Sequence, residues 1–139
     1  MTAVFIDTNV LLYGVSIAPK EARKKERALQ LLEQEDFTVS MQVVQEFYAN
    51  ATRLVDGCMS SEEALAFIDR LVQLPVLPMT LPLFRDAVRL QRRYQISYWD
   101  GAILAAAKMA GATTLYTEDL SHEQVYDGVK VVNPFHDLK

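Results

Sequence analysis

The sequence has little of what several classes of protein require. Its 139 residues include one cysteine, Cys58, so neither an internal disulfide nor a cysteine-based zinc site is possible. Charged or amide side chains interrupt each apolar run before it reaches the ~20 residues of a membrane span. No glycine-rich loop of the GxGxxG or Walker type supports dinucleotide or nucleoside triphosphate binding. Because Met1 leads into an apolar segment without a basic leader, we expect a cytoplasmic protein.

The composition predicts one compact domain over residues 1–139. Hydrophobic residues make up 50% of the chain and charged residues 23%, a balance that excludes disordered and fibrous proteins. The net charge of -4 does not favour a nucleic-acid partner by itself, but the basic residues are grouped. Solvated helix faces would be their ordinary interpretation. The two groups are Lys20, Arg23, Lys24, Lys25 and Arg27, and then Arg85, Arg89, Arg92 and Arg93.

Short apolar segments alternate with longer segments of helical periodicity. This alternation predicts an α/β domain around a mostly parallel sheet. Among the predicted helices, the spacing places Leu29 and Leu54 on buried faces. The predicted strands are 3–6, 37–40, 76–79, 113–116 and 129–132, with Pro78 indicating a short or edge strand. The predicted helices are 19–33, 41–55, 60–73, 83–94 and 98–110.

Two of the apolar strands end in carboxylates. Asp7 directly follows strand 3–6, and Asp119 follows strand 113–116 after Thr117 and Glu118. Each acid alone is explained equally well as an ordinary cap or turn residue. However, parallel strands deliver their carboxyl ends to the same edge of a sheet, where ligands bind in α/β proteins. We therefore expect these carboxylates to lie close together.

Two further acids belong to predicted helices. Asp100 lies three residues after Ser97, which is the spacing of a capping box with Asp in place of Glu. This acid could therefore only cap its helix, although a cap and a ligand role are compatible. Glu46 precedes Phe47 at the border of an apolar stripe, a position that solvated residues commonly occupy.

A cluster of these acids favours a divalent cation. Two carboxylates at 4 Å repel each other by about 4 kcal/mol at an effective dielectric constant near 20. A cation removes this cost, which is large beside a domain stability of roughly 5–15 kcal/mol. Oxygen ligands without cysteine or histidine select Mg²⁺ or Mn²⁺. Such an ion can activate water for phosphodiester hydrolysis, although the pattern of acids does not identify the substrate.

At the same residues the sequence resembles the PIN-domain family, and within it the VapC-type toxins of toxin–antitoxin systems. Residues 5–13, Phe5-Ile6-Asp7-Thr8-Asn9-Val10-Leu11-Leu12-Tyr13, are similar to the first family motif. Glu46 within residues 40–47 matches the second acid, and Asp100 after Ser97-Tyr98-Trp99 matches the third. Asp119 within residues 115–120 matches the fourth. The resemblance extends over essentially the whole chain, with the motifs in order.

The resemblance implies a three-layer α/β/α sandwich with the chemistry of a metal-dependent endoribonuclease. It makes Asp7 and Asp100 the main Mg²⁺ or Mn²⁺ ligands, and Asp119 a ligand or an acid just behind them. Glu46 would act through a coordinated water or help to deprotonate it. Glu118 beside Asp119 leaves open which of these two side chains faces the metal. The supporting residues would be Asn9, Thr117 and Ser97.

The resemblance also implies partners. The substrate would be RNA, with the two basic groups flanking the acidic site and holding the RNA backbone. The protein would form a homodimer, and a cognate antitoxin would block its site. No membrane partner is expected.

Three other functions remain open. A receiver-like Mg²⁺-binding signalling domain would need an aspartate on a central strand, and residues 76–79 contain none. A phosphatase-like enzyme with Asp7 as nucleophile would need an acid at the position of Asn9. A non-catalytic PIN-like module that binds RNA or protein is the third possibility, although the intact set of acids speaks against it.

Overall fold

The computed structural model describes residues 3–34 and 36–138, which form six α-helices and six strands. A 3₁₀ turn at Pro19–Glu21 precedes α2. The strands are β1 (Val4–Ile6), β2 (Val39–Ser40), β3 (Val76–Leu77), β4 (Thr114–Tyr116), β5 (Val125–Tyr126) and β6 (Val129–Val132). The helices are α1 (Thr8–Gly14), α2 (Ala22–Gln34), α3 (Met41–Ala51), α4 (Ser61–Leu71), α5 (Leu81–Tyr94) and α6 (Tyr98–Met109).

The central sheet is mostly parallel, as predicted. Its hydrogen-bonded order is β1-β4-β6-β5, in which only the β5–β6 pair is antiparallel. The parallel pair β2–β3 joins this sheet through a bridge between Phe5 and Thr38. In this register Ile6 lies beside Tyr116, so β1 and β4 end at the same edge.

Helices cover both faces of this sheet. Neighbouring residues on a strand point to opposite faces, and both Phe5 and Ile6 are completely buried. Leu115 of β4 and Val131 of β6 are also fully buried. The three-layer α/β/α arrangement predicted from the sequence is therefore confirmed. No helix in residues 3–34 and 36–138 is long and apolar enough to cross a membrane.

Local sequence signals begin and end several helices. Ser60 and Glu63 form a complete capping box at the start of α4. The hydroxyl of Ser97 accepts a hydrogen bond from the backbone N–H of Asp100, which confirms the predicted cap of α6. Gly111 has a φ of 75° just after that helix, a conformation that glycine adopts without strain.

Two predictions about buried positions are wrong. Helix α3 ends at Ala51 instead of continuing to residue 55, because the carbonyl of Ala51 accepts a hydrogen bond from the N–H of Met59 and not from that of residue 55. Leu54 is consequently fully exposed. Leu29 is 40% exposed, because α2 turns Ala28 toward the core instead.

Two short elements were not predicted. Helix α1 has seven residues, too few for a clear helical period. Strand β5 has two residues and pairs only with β6 across a tight turn. Asp127 and Gly128 occupy this turn with φ angles of 48° and 86°, and this Asp-Gly pair is the signal from which the hairpin could have been predicted.

Candidate active site

Asp7 is the most deeply buried acid of the site. It follows β1 and caps α1, and its side chain is about 5% exposed. Its Oδ1 atom accepts a hydrogen bond of 2.7 Å from the N–H of Thr8. Its Oδ2 atom accepts one of 2.8 Å from the hydroxyl of Thr117, which follows β4. The parallel pairing of β1 and β4 therefore fixes this carboxyl group.

Burial raises the pKa of the Asp7 carboxyl from 3.8 to about 7. The hydrogen bonds from Thr117 and Thr8 oppose this shift in pKa, while the negative charges of Asp119 and Glu46 add to it. The protein groups around Asp7 therefore stabilise its ionised form less than water would. A nearby cation would favour its ionised form.

Asn9 connects Asp7 with Asp119. Its Nδ2 group donates to Oδ2 of Asp119 at 3.2 Å and to the hydroxyl oxygen of Thr117 at 3.1 Å. The same nitrogen lies 3.5 Å from Oδ2 of Asp7. Thr117 Oγ1 also accepts from the N–H of Asp119 at 3.1 Å. The two acids at the ends of β1 and β4 are thus brought together, as the strand pattern predicted.

Glu46 reaches this group from α3. The hydroxyl of Thr8 donates to Oε1 of Glu46 at 2.7 Å, while the N–H of Thr8 bonds to Asp7. Thr8 therefore holds one oxygen atom of each of two acids. We assigned no role to Thr8 from the sequence, and its position directly after Asp7 was the only available signal.

Asp100 completes the group from the first turn of α6. Partial burial raises the pKa of its carboxyl, and a hydrogen bond from Ser97 opposes that shift in pKa. The charges of Asp119 and Glu46 raise the pKa of Asp100 further. All four predicted acids therefore interact electrostatically at the carboxyl edge of the sheet.

Glu118 binds residues outside the group of four acids. Its Oε1 atom accepts a hydrogen bond of 2.6 Å from the hydroxyl of Tyr13, and its Oε2 atom lies 3.1 Å from Nζ of Lys24. These contacts engage both oxygen atoms of Glu118. Asp119, not Glu118, therefore contacts Asn9 within the acidic group.

The donor set suits a hard divalent cation. The available ligands are carboxylate and amide oxygens, which Mg²⁺ and Mn²⁺ prefer. Oδ1 of Asn9 is buried and has no hydrogen-bond partner among the described residues. Within residues 3–34 and 36–138, no three acidic, histidine or cysteine side chains are arranged closely enough to hold a metal ion directly. The chemistry of the residues thus fits a cation, but the acids form no ready-made cage.

The two basic groups lie at different ends of the structure. Lys24, on α2, binds Glu118 beside the acidic site. Arg89 and Arg93, on α5, instead form ion pairs with Asp127. Asp127 also binds Lys108 in the last turn of α6, whereas Asp100 lies in its first turn. The prediction that the second basic group flanks the acids is therefore wrong for Arg89 and Arg93.

Comparison with solved structures shows the fold in other proteins. VapC20 of Mycobacterium tuberculosis, described as a sarcin–ricin loop cleaving toxin, matches with a TM-score of 0.67 and 19% identity, over 84% of this chain and 89% of that one. A toxin–antitoxin complex from Klebsiella pneumoniae gives a TM-score of 0.69 and 20% identity, over 94% of this chain and 97% of that one. FitAcB from Neisseria gonorrhoeae gives a TM-score of 0.62 and 22% identity, over 96% of this chain and 99% of that one.

At these identities the structural matches show a shared fold only. A comparison with curated proteins gives no significant match. The sequence profile described as "PIN domain" matches residues 4–128, which is most of the chain and includes the four acids. This protein therefore belongs to the PIN domain family.

Proposed function

We propose that this protein is a metal-dependent endoribonuclease. The observation that carries the proposal is the position of Asp7. Asp7 is a buried carboxyl group at a strand end, and the negative charges of Asp119 and Glu46 raise its pKa. The same two charges raise the pKa of Asp100. Membership of the PIN domain family supports a nuclease. RNA is the proposed substrate because VapC20, which has the same fold, is described as a toxin that cleaves the sarcin–ricin loop.

Mg²⁺ or Mn²⁺ would supply a water of lowered pKa and stabilise negative charge on the leaving oxygen. Asp7 and Asp100 are the proposed main ligands, with Asp119 as a third ligand or as a support for them. Glu46 would orient the attacking water and accept its proton, because Thr8 fixes this carboxylate next to Asp7. Addition of this water to phosphorus would break the bond to the leaving ribose oxygen, which would take up a proton from Glu46 or from solvent.

The supporting residues act through the acids. Thr117 and Asn9 would hold the carboxylates of Asp7 and Asp119 in place through their hydrogen bonds. Ser97 would fix the first turn of α6, in which Asp100 lies. These residues are therefore proposed to set the positions of the ligands without contacting the substrate.

We further propose that the protein is the toxin of a type II toxin–antitoxin system, with an antitoxin as its protein partner and the cytoplasm as its place of action. The similar toxin–antitoxin complex from Klebsiella pneumoniae supports a partner of this kind. Residues 1–139 would form one domain, which would assemble as a homodimer. Exposed aromatic side chains on α5 and α6, Phe84 at 47% and Trp99 at 62% exposure, support an interface between protein chains.

Cleavage of total RNA by the purified protein tests the enzyme. Reactions would contain Mn²⁺ or Mg²⁺, with EDTA in parallel, and would include the variants Asp7→Asn and Asp100→Asn. Asp69→Asn is the matched control, because Asp69 is an exposed acid on α4. We expect metal-dependent fragments from the wild type and the control, and none from the two site variants. Cleavage that persists in both site variants would contradict the proposed site.

A further inference from the structure

A cavity of about 630 Å³ opens next to the acidic site, between α1, the 3₁₀ turn at Pro19–Glu21 and the loop after α3. We propose that this cavity binds the RNA nucleotides adjoining the scissile phosphodiester bond. The inference deepens the proposed nuclease function and rests on it. Cavities of roughly 300–1,000 Å³ are typical of small-molecule sites, so this one has room for a nucleotide.

The cavity shares Asn9 with the acidic site. Asn9, whose Nδ2 group donates to Asp119, also lines the cavity wall. Asn50 also lines the cavity, one helical turn after Glu46 in α3, and its Nδ2 group donates to the carbonyl of Glu46 at 2.7 Å. Under this proposal, an RNA strand with a phosphate at the acids places a neighbouring nucleotide in the cavity.

Two cations from different segments of the chain line the cavity. Lys20 belongs to the 3₁₀ turn, and Arg53 to the loop after α3; both side chains are exposed. Across the described part of the chain, neither forms a salt bridge, whereas Lys24 nearby is bound to Glu118. Such cations are available to phosphate groups, which dominate the affinity of proteins for nucleic acids.

The remaining lining suits a base and ribose better than a polyanion. Leu12 and Ile17 contribute apolar surface, and Asn50 contributes an amide group. The acids Glu21, Asp56 and Glu118 also line the cavity, so the positive charge that can attract phosphate is confined to Lys20 and Arg53. Carboxylate and amide groups can accept or donate hydrogen bonds at base edges.

The loop that carries Arg53 is held closely against α3. A Cβ atom at Gly57 would lie 2.1 Å from the backbone oxygen of Arg53 and 2.8 Å from its backbone nitrogen. The N–H of Met59 also donates to the carbonyl of Ala51 at 3.0 Å. This packing fixes the cavity wall before any ligand binds.

Cys58 gives a direct test, because it lines the cavity and is the single cysteine of the chain. The rate of alkylation of Cys58 by N-ethylmaleimide would be measured on the full-length Asp7→Asn variant, with and without short single-stranded RNA of random sequence. We expect RNA to slow alkylation at least severalfold. Equal slowing by polyglutamate, or no slowing at RNA concentrations that saturate binding, would overturn the proposal.

Steady-state kinetics provide the second readout. The double variant Lys20→Gln, Arg53→Gln should raise KM for RNA cleavage roughly tenfold while kcat stays near the wild-type value. Lys130→Gln on β6 is the control for the loss of an exposed positive charge outside the cavity. If the wild type cuts RNA and the double variant has the KM of this control, the cavity proposal fails and the nuclease proposal stands. If the wild type cuts no RNA, the nuclease proposal fails, and the protection of Cys58 still tests the cavity.

Discussion

Lys24 and Glu118 form a salt bridge, with Nζ of Lys24 3.1 Å from Oε2 of Glu118. The hydroxyl of Tyr13 completes the arrangement by donating to Oε1 of Glu118 at 2.6 Å. The ammonium group of Lys24 also lies 4.7 Å from the centroid of the Tyr13 ring. Because Glu118 immediately precedes Asp119, these contacts fix the turn from which Asp119 enters the acidic site. They connect α1 and α2 to the end of β4.

Replacement of Lys24 by methionine should therefore reduce kcat for RNA cleavage, by about tenfold, with a smaller effect on KM. The physical reason is that Glu118 loses its cation, and the turn carrying Asp119 becomes less well fixed. The effect on stability should be small, at most about 1 kcal/mol, because the Lys24 side chain is 36% exposed. Lys25→Met on the same helix is the control, and a rise in KM alone would indicate that Lys24 contacts RNA instead.

Thr8 offers a sharper test of the site geometry. Thr8→Val removes the hydroxyl that donates to Glu46 but keeps the backbone N–H that donates to Asp7. We expect kcat to fall by roughly tenfold, since Glu46 is then no longer held, whereas Thr8→Ser should restore most of the activity. Mn²⁺ titration of both variants would show whether cation binding persists. Full activity in Thr8→Val would argue against a role for Glu46 in proton transfer.

The ends of the strands made part of the site predictable. Asp7 and Asp119 follow buried apolar segments, and parallel pairing brings such ends together. Ser97 identified the start of α6 and thereby the position of Asp100. The spacing of Glu46 does not identify its role, because a position at the border of a helix face does not show which partner the side chain meets. That partner is Thr8, and the two residues meet only through tertiary packing.

Long-range pairings explain what the sequence could not show. Lys24 and Glu118 are 94 residues apart, so nothing local identifies their salt bridge or shows which of two adjacent acids binds residues outside the site. Helix α3 has an apolar period that continues to Leu54, but the chain turns at Thr52. The same turn forms one wall of the cavity, which no sequence period indicates.

Gly101 should be intolerant of alanine. A Cβ atom there would lie 2.6 Å from the backbone oxygen of Ala87, so α5 and α6 would have to separate. We expect Gly101→Ala to lower the free energy of unfolding by about 1–3 kcal/mol in urea denaturation. Gly14→Ala is the matched control in α1, where the added atom meets the flexible end of Leu32 at 3.2 Å. An equal loss of stability in both variants would contradict the close approach of α5 and α6.

Divalent cations should stabilise the protein, because they would relieve the repulsion among Asp7, Asp119, Glu46 and Asp100. We expect saturating Mn²⁺ to raise Tm. At a Mn²⁺ concentration 100 times the Kd, binding should add about 2.7 kcal/mol to the free energy of unfolding. Differential scanning fluorimetry with and without EDTA would measure the shift. The shift should largely disappear in Asp100→Asn and remain in Asp69→Asn. An unchanged shift in Asp100→Asn would place the cation elsewhere.

Acid should destabilise the fold through Asp127, at the far end of α6 from the candidate active site. A hydrogen bond from the hydroxyl of Tyr94 lowers the pKa of the Asp127 carboxyl most, followed by the contact with Arg89. Because the folded-state pKa lies below the ordinary value of 3.8, the ionised group stabilises the protein above about pH 4. This contribution is lost as the pH falls from the unfolded pKa through the folded one.

Asp127→Asn isolates this charge, because asparagine also tolerates the positive φ of 48° at this position. Near neutral pH the variant should lose about 1–2 kcal/mol of unfolding free energy, since charged hydrogen bonds to Arg89 and Lys108 are weakened. Below about pH 4 the difference in unfolding free energy between the variant and the wild type should shrink toward zero. Asp137→Asn is the control, because its carboxylate side chain is 70% exposed and should matter little. Urea denaturation across this pH range would measure both effects, and a constant difference between wild type and Asp127→Asn would rule out ionisation of Asp127 as the cause.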